Sequence, residues 1–201
     1  DDAHWEVSAS EAAIEPLGSL AMLPSAVPAK LRSWLYLANP RGRIESIDAR
    51  WHSRDDFAVD ARVEGYGADD ARVIPGVDHL DLRISGDNAG LLLELPPQPA
   101  RFDYPYAFPT PFEFTAFGGD VVAWPDEDGW HVHTPRVAIE AAHYAIDLRG
   151  GLDFAGDGSK PLLDVVALVP HADVLAAKGF WPIRTMPAPA RAWLDRALVG
   201  G

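Results

Sequence analysis

The chain has 201 residues, room for one domain or a little more, and its 17 Lys and Arg against 30 Asp and Glu leave a formal net charge of -13 at pH 7. That balance excludes a general nucleic-acid binder, which needs a basic face. The absence of cysteine excludes disulfides, thiolate zinc sites and thiol catalysis, while 48% hydrophobic residues beside 18 Pro and 17 Gly indicate many short, punctuated strands rather than disorder.

The first residues, Asp1-Asp2-Ala3-His4, carry neither an initiator Met nor a basic signal region, and the last are Gly200-Gly201; the chain is expected to be a piece of a longer protein. No segment approaches the roughly 18 apolar residues of a membrane span. Between Pro28 and Ala38 the apolar residues Leu31, Trp34, Leu35 and Ala38 fall at helical spacing. A Pro suited to a first turn opens this stretch and Asn39-Pro40-Arg41-Gly42 closes it, which predicts a helix over 28–38.

From 43 to 170 the apolar period drops to two, the mark of strands with one apolar face. Arg43 to Trp51, Phe57 to Val63, Leu80 to Ile84 and Leu91 to Leu95 read as amphipathic strands, the last two joined as a hairpin through Ser85 to Gly90. Phe112 to Phe114, Val121 to Trp124, Trp130 to His133, Val137 to Ile139, Ile146 to Leu148 and Leu162 to Val169 bring the count to about ten, with turn signals at the spacing of an all-β chain. A short helical piece, Ala172 to Lys178, precedes Gly179. Pro187 to Leu198 is the second full helix, with Ala190, Trp193, Leu194 and Ala197 on its apolar face. Trp34 and Trp193 are expected to pack in a core beside their leucines.

The two helices read as copies of one another. Val27 to Gly42 and Met186 to Gly201, offset by 159, share seven of 16 positions: Pro28/Pro187, Ala29/Ala188, Arg32/Arg191, Trp34/Trp193, Leu35/Leu194, Ala38/Ala197 and Gly42/Gly201. About one identity is expected by chance at ordinary composition. The chain therefore reads as one repeat segment, 1–201, made of helix 28–38, strand-rich region 43–170 and helix 187–198.

Chemical motifs are sparse. His131-Val132-His133 sets two imidazoles on one face of a strand, a spacing that metal sites use. The next acid, Glu140, stands too far on for a cupin pattern, and His143 is the remaining candidate third ligand; no metal is assigned. Asp126-Glu127-Asp128-Gly129 lacks the distal ligands of a calcium loop and reads as an acidic hairpin turn. Gly65-Tyr66-Gly67 opens like a dinucleotide loop, but Asp70 replaces the third Gly and no helix follows. Neither a nucleophile elbow nor a P-loop is present, so no catalytic residue and no cofactor are assigned.

The helix carrying Arg-x-Trp-Leu after a Leu-Pro or Met-Pro step, then a Gly and a strand, resembles the YhdP branch of the AsmA-like proteins, which are related to TamB. The motifs that carry the resemblance are Pro28, Arg32, Trp34, Leu35 and Gly42, and Pro187, Arg191, Trp193, Leu194 and Gly201. Phe180-Trp181-Pro182-Ile183 departs from the usual step, and residues 52–170 match in style alone. The resemblance implies a periplasmic segment of a long parent anchored in the inner membrane of a Gram-negative bacterium. Its fold would be mostly β, a curved amphipathic antiparallel sheet forming a groove, punctuated by short amphipathic helices. Its function would be to bind phospholipid acyl chains and pass them along an apolar concave face toward the outer membrane, beside neighbouring repeats of the same chain, with no enzymatic step.

The residues expected on the apolar face are Ile47, Trp51, Phe57, Val59, Leu80, Leu82, Ile84, Leu91, Leu93, Phe112, Phe114, Val137, Ile139, Ile146, Leu148, Leu163, Val165 and Val169. Periodicity alone fits equally a closed sandwich core. The readings kept beside a lipid conduit are therefore a β-sandwich carbohydrate-binding module and, behind it, a glycosidase using a carboxylate pair.

Overall fold

The computed structural model describes residues 5–21, 35–53, 56–71, 75–174 and 176–197. Nine strands form one antiparallel sheet in sequence order: β1 (Trp5–Ala13), β2 (Arg41–Ser53), β3 (Asp56–Ala68), β4 (Gly76–Asp87), β5 (Gly90–Asp103), β6 (Phe112–Pro125), β7 (Gly129–Ala141), β8 (Tyr144–Ala155) and β9 (Leu162–Ala172). Helix α1 (Ile14–Ala21) follows β1, residues 35–38 form a helical turn, a 3-10 helix spans Ala176–Phe180, and α2 (Ala188–Ala197) follows it. Because β1 and β9 do not meet, the sheet is unclosed. Register shifts interrupt seven of the eight strand pairs, and such bulges add local twist and bend, so the sheet curves.

Alternating residues make these strands, and short polar turns connect several of them. At the acidic turn Asp126 accepts hydrogen bonds from the backbone N–H of Asp128 (2.8 Å) and Gly129 (3.0 Å), and Asp87 likewise accepts one from Ala89 (2.8 Å). Two pairs of expected strands are in fact continuous. Phe112 to Phe114 joins Val121 to Trp124 as β6, and Trp130 to His133 joins Val137 to Ile139 as β7. The glycines and proline between them mark bulges inside one strand, with register shifts at Asp120/Val122 and Thr134/Val137. Gly119 shows why glycine is needed there. Its φ is +146°, and a Cβ would run into the carbonyl oxygen of Arg136 on the neighbouring strand.

A second layer is absent among the described residues. Each strand packs on its sequence neighbours, and α1 on β2 is the other principal contact. Among the described residues no large side chain is fully buried, and most of the buried apolar residues are alanines. The accessible surface of 13188 Å² compares with about 9,300 Å² for a compact protein of 21.8 kDa. A closed sandwich is therefore not what this chain forms.

Helical pieces gather at one rim of the sheet. Ala38, from the helical turn, is 1% exposed and packs with Ala68 and Ala71, backed by Tyr66 and Val77. Farther along the same rim Phe180 stacks on Phe112 (5.5 Å between centroids) and meets Tyr144 edge-on (4.7 Å). Arg184 ties this stretch down by donating to the Pro105 carbonyl at 2.6 Å.

Candidate functional site

In an antiparallel pair, residues directly opposite one another point to the same face, while successive residues along a strand alternate. Following the register from strand to strand therefore draws rows across the sheet. Val7, Ala49, Val59, Gly86, Leu91, Ala123, Val132, Leu152 and Leu163 pair one after another through all nine strands with no polar residue among them. Ala9, Ile47, Ala61, Ile84, Leu93 and Val121 form a second row. A third holds Ile44, Val63 and Leu82, and on the later strands Leu95, Gly119, Val137, Leu148 and Ala167. The result is a continuous apolar face with no sheet packed on it among the described residues.

Of the residues singled out in the sequence, Ile47, Val59, Leu82, Ile84, Leu91, Leu93, Val137, Leu148 and Leu163 lie in these rows. Trp51 and Phe57 extend the face to the rim opposite the helical pieces, where they stack at 5.6 Å. Leu80, Phe112, Phe114 and the paired Ile139 and Ile146 extend it to the helical rim. Val165, opposite Gly150, and Val169 continue it on β9. Sequence reasoning missed Val7, Ala9, Val132 and Leu152, although period two runs through each of them. It also missed Trp130 and Phe154, which pair at the open rim and stay 47% and 41% exposed.

This face spans nine strands, is apolar along its breadth and has no second layer over it among the described residues. The model for the family described as YhdP protein matches residues 1–201. The chain belongs to the YhdP family. Neither a curated protein nor a solved structure matches it. YhdP proteins are AsmA-like proteins of the membrane envelope. Among the described residues of this YhdP-family chain, no helix is long and apolar enough to cross a membrane.

The two helix motifs are unequally placed in this YhdP segment. Leu35 is half-buried, and Gly42 has φ +131° with the backbone of Glu64 3.0 Å from where a Cβ would stand, so the strand can enter only through a glycine. Pro28, Arg32, Trp34 and Gly201 lie outside the described residues. Pro187 and Arg191 are exposed, Leu194 is half-buried and Trp193 is 62% exposed. Core packing of Trp193 is thus corrected: α2 has no buried residue, because nothing described covers its apolar stripe.

The opposite face is charged. Arg43 bridges Glu11 (2.6 Å) and Glu64, Arg83 bridges Asp60 (2.6 Å) and Glu94 (3.6 Å), and Arg136 pairs with Asp147 (2.8 Å). Exposed pairs of this kind add little stability, so their main effect is to keep this face wet and its register correct. The hydrogen bond from Arg83 holds the Asp60 carboxyl below its ordinary range. A hollow of about 630 Å³ is walled by charged residues, among them Arg62, Glu64, Arg83 and Asp120, together with Val63, Leu82, Leu95, Pro96 and Pro97. Gly65, at φ +60°, is a bulge in β3 whose N–H donates to Asp81 (2.8 Å), so this glycine pair cradles no phosphate.

His131 and His133 also lie on the charged face. His131 Nδ1 is 2.6 Å and His133 Nε2 2.8 Å from the same oxygen, Oδ1 of Asp153. His131 Nε2 is 2.7 Å from Asp126. The hydrogen bond to Asp153 raises the His131 pKa, burial opposes it and Asp126 adds to it; Asp153 is lowered by its bonds to His133 and His131. His143, the third ligand weighed from sequence, is instead at the helical rim beside Asp173 (3.0 Å).

Proposed function

We propose that this segment binds phospholipid acyl chains on the apolar face of its open sheet and passes them through the periplasm toward the outer membrane, as part of a parent anchored in the inner membrane. The row of apolar residues unbroken through nine strands, with no layer over it, is the observation that carries this reading. Covering a methylene group is worth about 0.8 kcal/mol, so about ten half-covered methylenes gain about 4 kcal/mol, enough to hold a chain and weak enough to let it slide. The charged face stays in water, and the helical rim gives the groove one covered wall. No covalent step is required. Neighbouring repeats of the same chain would continue the face, and the exposed apolar residues of β9 and of α2 support that continuation.

The test is photo-crosslinking in the full-length protein in cells. A benzophenone side chain in place of Leu91 or Leu93 is expected to capture phospholipid, and one in place of Glu94, next along β5 on the charged face, is not. Equal capture from both faces would overturn the proposal. A carbohydrate-binding or glycosidase reading has no observation here in its favour.

A further inference from the structure

We propose that His131, His133 and Asp153 form a binding site for a divalent transition-metal ion of the zinc type, on the charged face and independent of the lipid reading. One ligand atom from each of the three lies within 4.8 Å of the others. The register creates the site. His131 and His133, two apart on β7, share a face, and the β7–β8 hairpin places Asp153 directly opposite His131.

Zinc bonds of about 2.0–2.1 Å at tetrahedral angles require ligand atoms about 3.3 Å apart. The two nitrogens stand 2.6 Å and 2.8 Å from the Asp153 oxygen, so each nitrogen–oxygen spacing must open by about half an ångström to admit an ion. The surroundings are already those of a ligand set. With Nδ1 of His131 on the metal, its Nε2–H donates to Asp126, the carboxylate–histidine–metal arrangement that orients the ring and strengthens it as a ligand. Asp126 is itself fixed by the backbone N–H groups of Asp128 and Gly129. The indole of Trp124 lies against both imidazoles, each at 5.1 Å between centroids, and limits their rotation. Two imidazoles and one carboxylate suit Zn²⁺, Co²⁺, Ni²⁺ or Cu²⁺ rather than Ca²⁺ or Mg²⁺, which prefer all-oxygen shells. The residues are half-buried, leaving a fourth position open to water.

The experiment is calorimetric titration of tag-free protein, residues 1–201, with Zn²⁺ in metal-free buffer at pH 7.5. One equivalent is expected to bind. His133→Gln and Asp153→Asn should each weaken it at least about tenfold, Asp126→Asn should weaken it by about tenfold through ring orientation, and His143→Gln should leave it unchanged. Circular dichroism checks that each variant keeps its strand signal. In the unmodified protein, Zn²⁺ should shift the imidazole nitrogen resonances of His131 and His133 but not those of His143, a readout that needs no variant. Absence of saturable binding, or binding that persists in His133→Gln with Asp153→Asn, would overturn the site, and neither result bears on lipid capture.

Discussion

Asp69 shows how single side chains hold this sheet at its helical rim. Asn39 and Arg41 both donate to its carboxylate, at 3.2 Å and 2.8 Å, and those two bonds hold its pKa below the ordinary value. The folded form therefore gains stability from Asp69 above the unfolded pKa of about 3.9, and loses it as pH falls through the lower folded value. Urea midpoints of the unmodified protein and Asp69→Asn should differ at pH 6 and converge toward pH 2. The difference should stay under about 1 kcal/mol because the pair is half exposed. A larger effect is expected of Gly119→Ala. The φ of +146° and the collision with the Arg136 carbonyl should cost about 1–3 kcal/mol or more, read as a fall in the urea midpoint.

Among the elements, β9 stands apart. Register puts Leu163, Val165 and Ala167 on the apolar face, but Leu162, Val166 and Leu168 on the charged one, and all eleven residues of the strand are exposed. A strand apolar on both sides with an unpaired edge invites association. Val166→Lys with Leu168→Lys should therefore lower self-association of the isolated segment in sedimentation experiments while leaving the strand signal intact. Strands such as β3 and β4 were legible because their apolar residues alternate without interruption. β1 was not, since Val7-Ser8-Ala9-Ser10 alternates small residues whose contrast is weak, and α1 went with it. The apolar rows were legible as strand faces. The contact between His131 and Asp153 was not, because it depends on the exact register of a hairpin, which no spacing within β7 reveals.

At the scale of the whole molecule, an uncovered apolar face should declare itself in solution and in cells. The segment is expected to raise the fluorescence of an apolar dye well above that of a compact protein of equal size. Val59→Asp or Leu82→Asp, placed in the full-length protein, should raise outer-membrane permeability to bulky antibiotics with little change in protein level, because neither residue sits in a closed core whose loss would unfold the chain. Unchanged permeability with the protein present would show that these positions line no conduit.

Strand packing that is mainly between sequence neighbours has a further consequence for how the molecule comes apart. Among the described residues the main coupling of β1 to β5 runs through the strands between them, so unfolding energy is nearly a sum of adjacent interfaces, as in solenoid repeats. Amide exchange should then rise in steps from the central β4, β5 and β6 outward to β1 and β9, with fraying from both ends instead of a single cooperative opening. Each added strand lengthens such a sheet without asking the existing ones to rearrange, because each pairs with its neighbours in the chain.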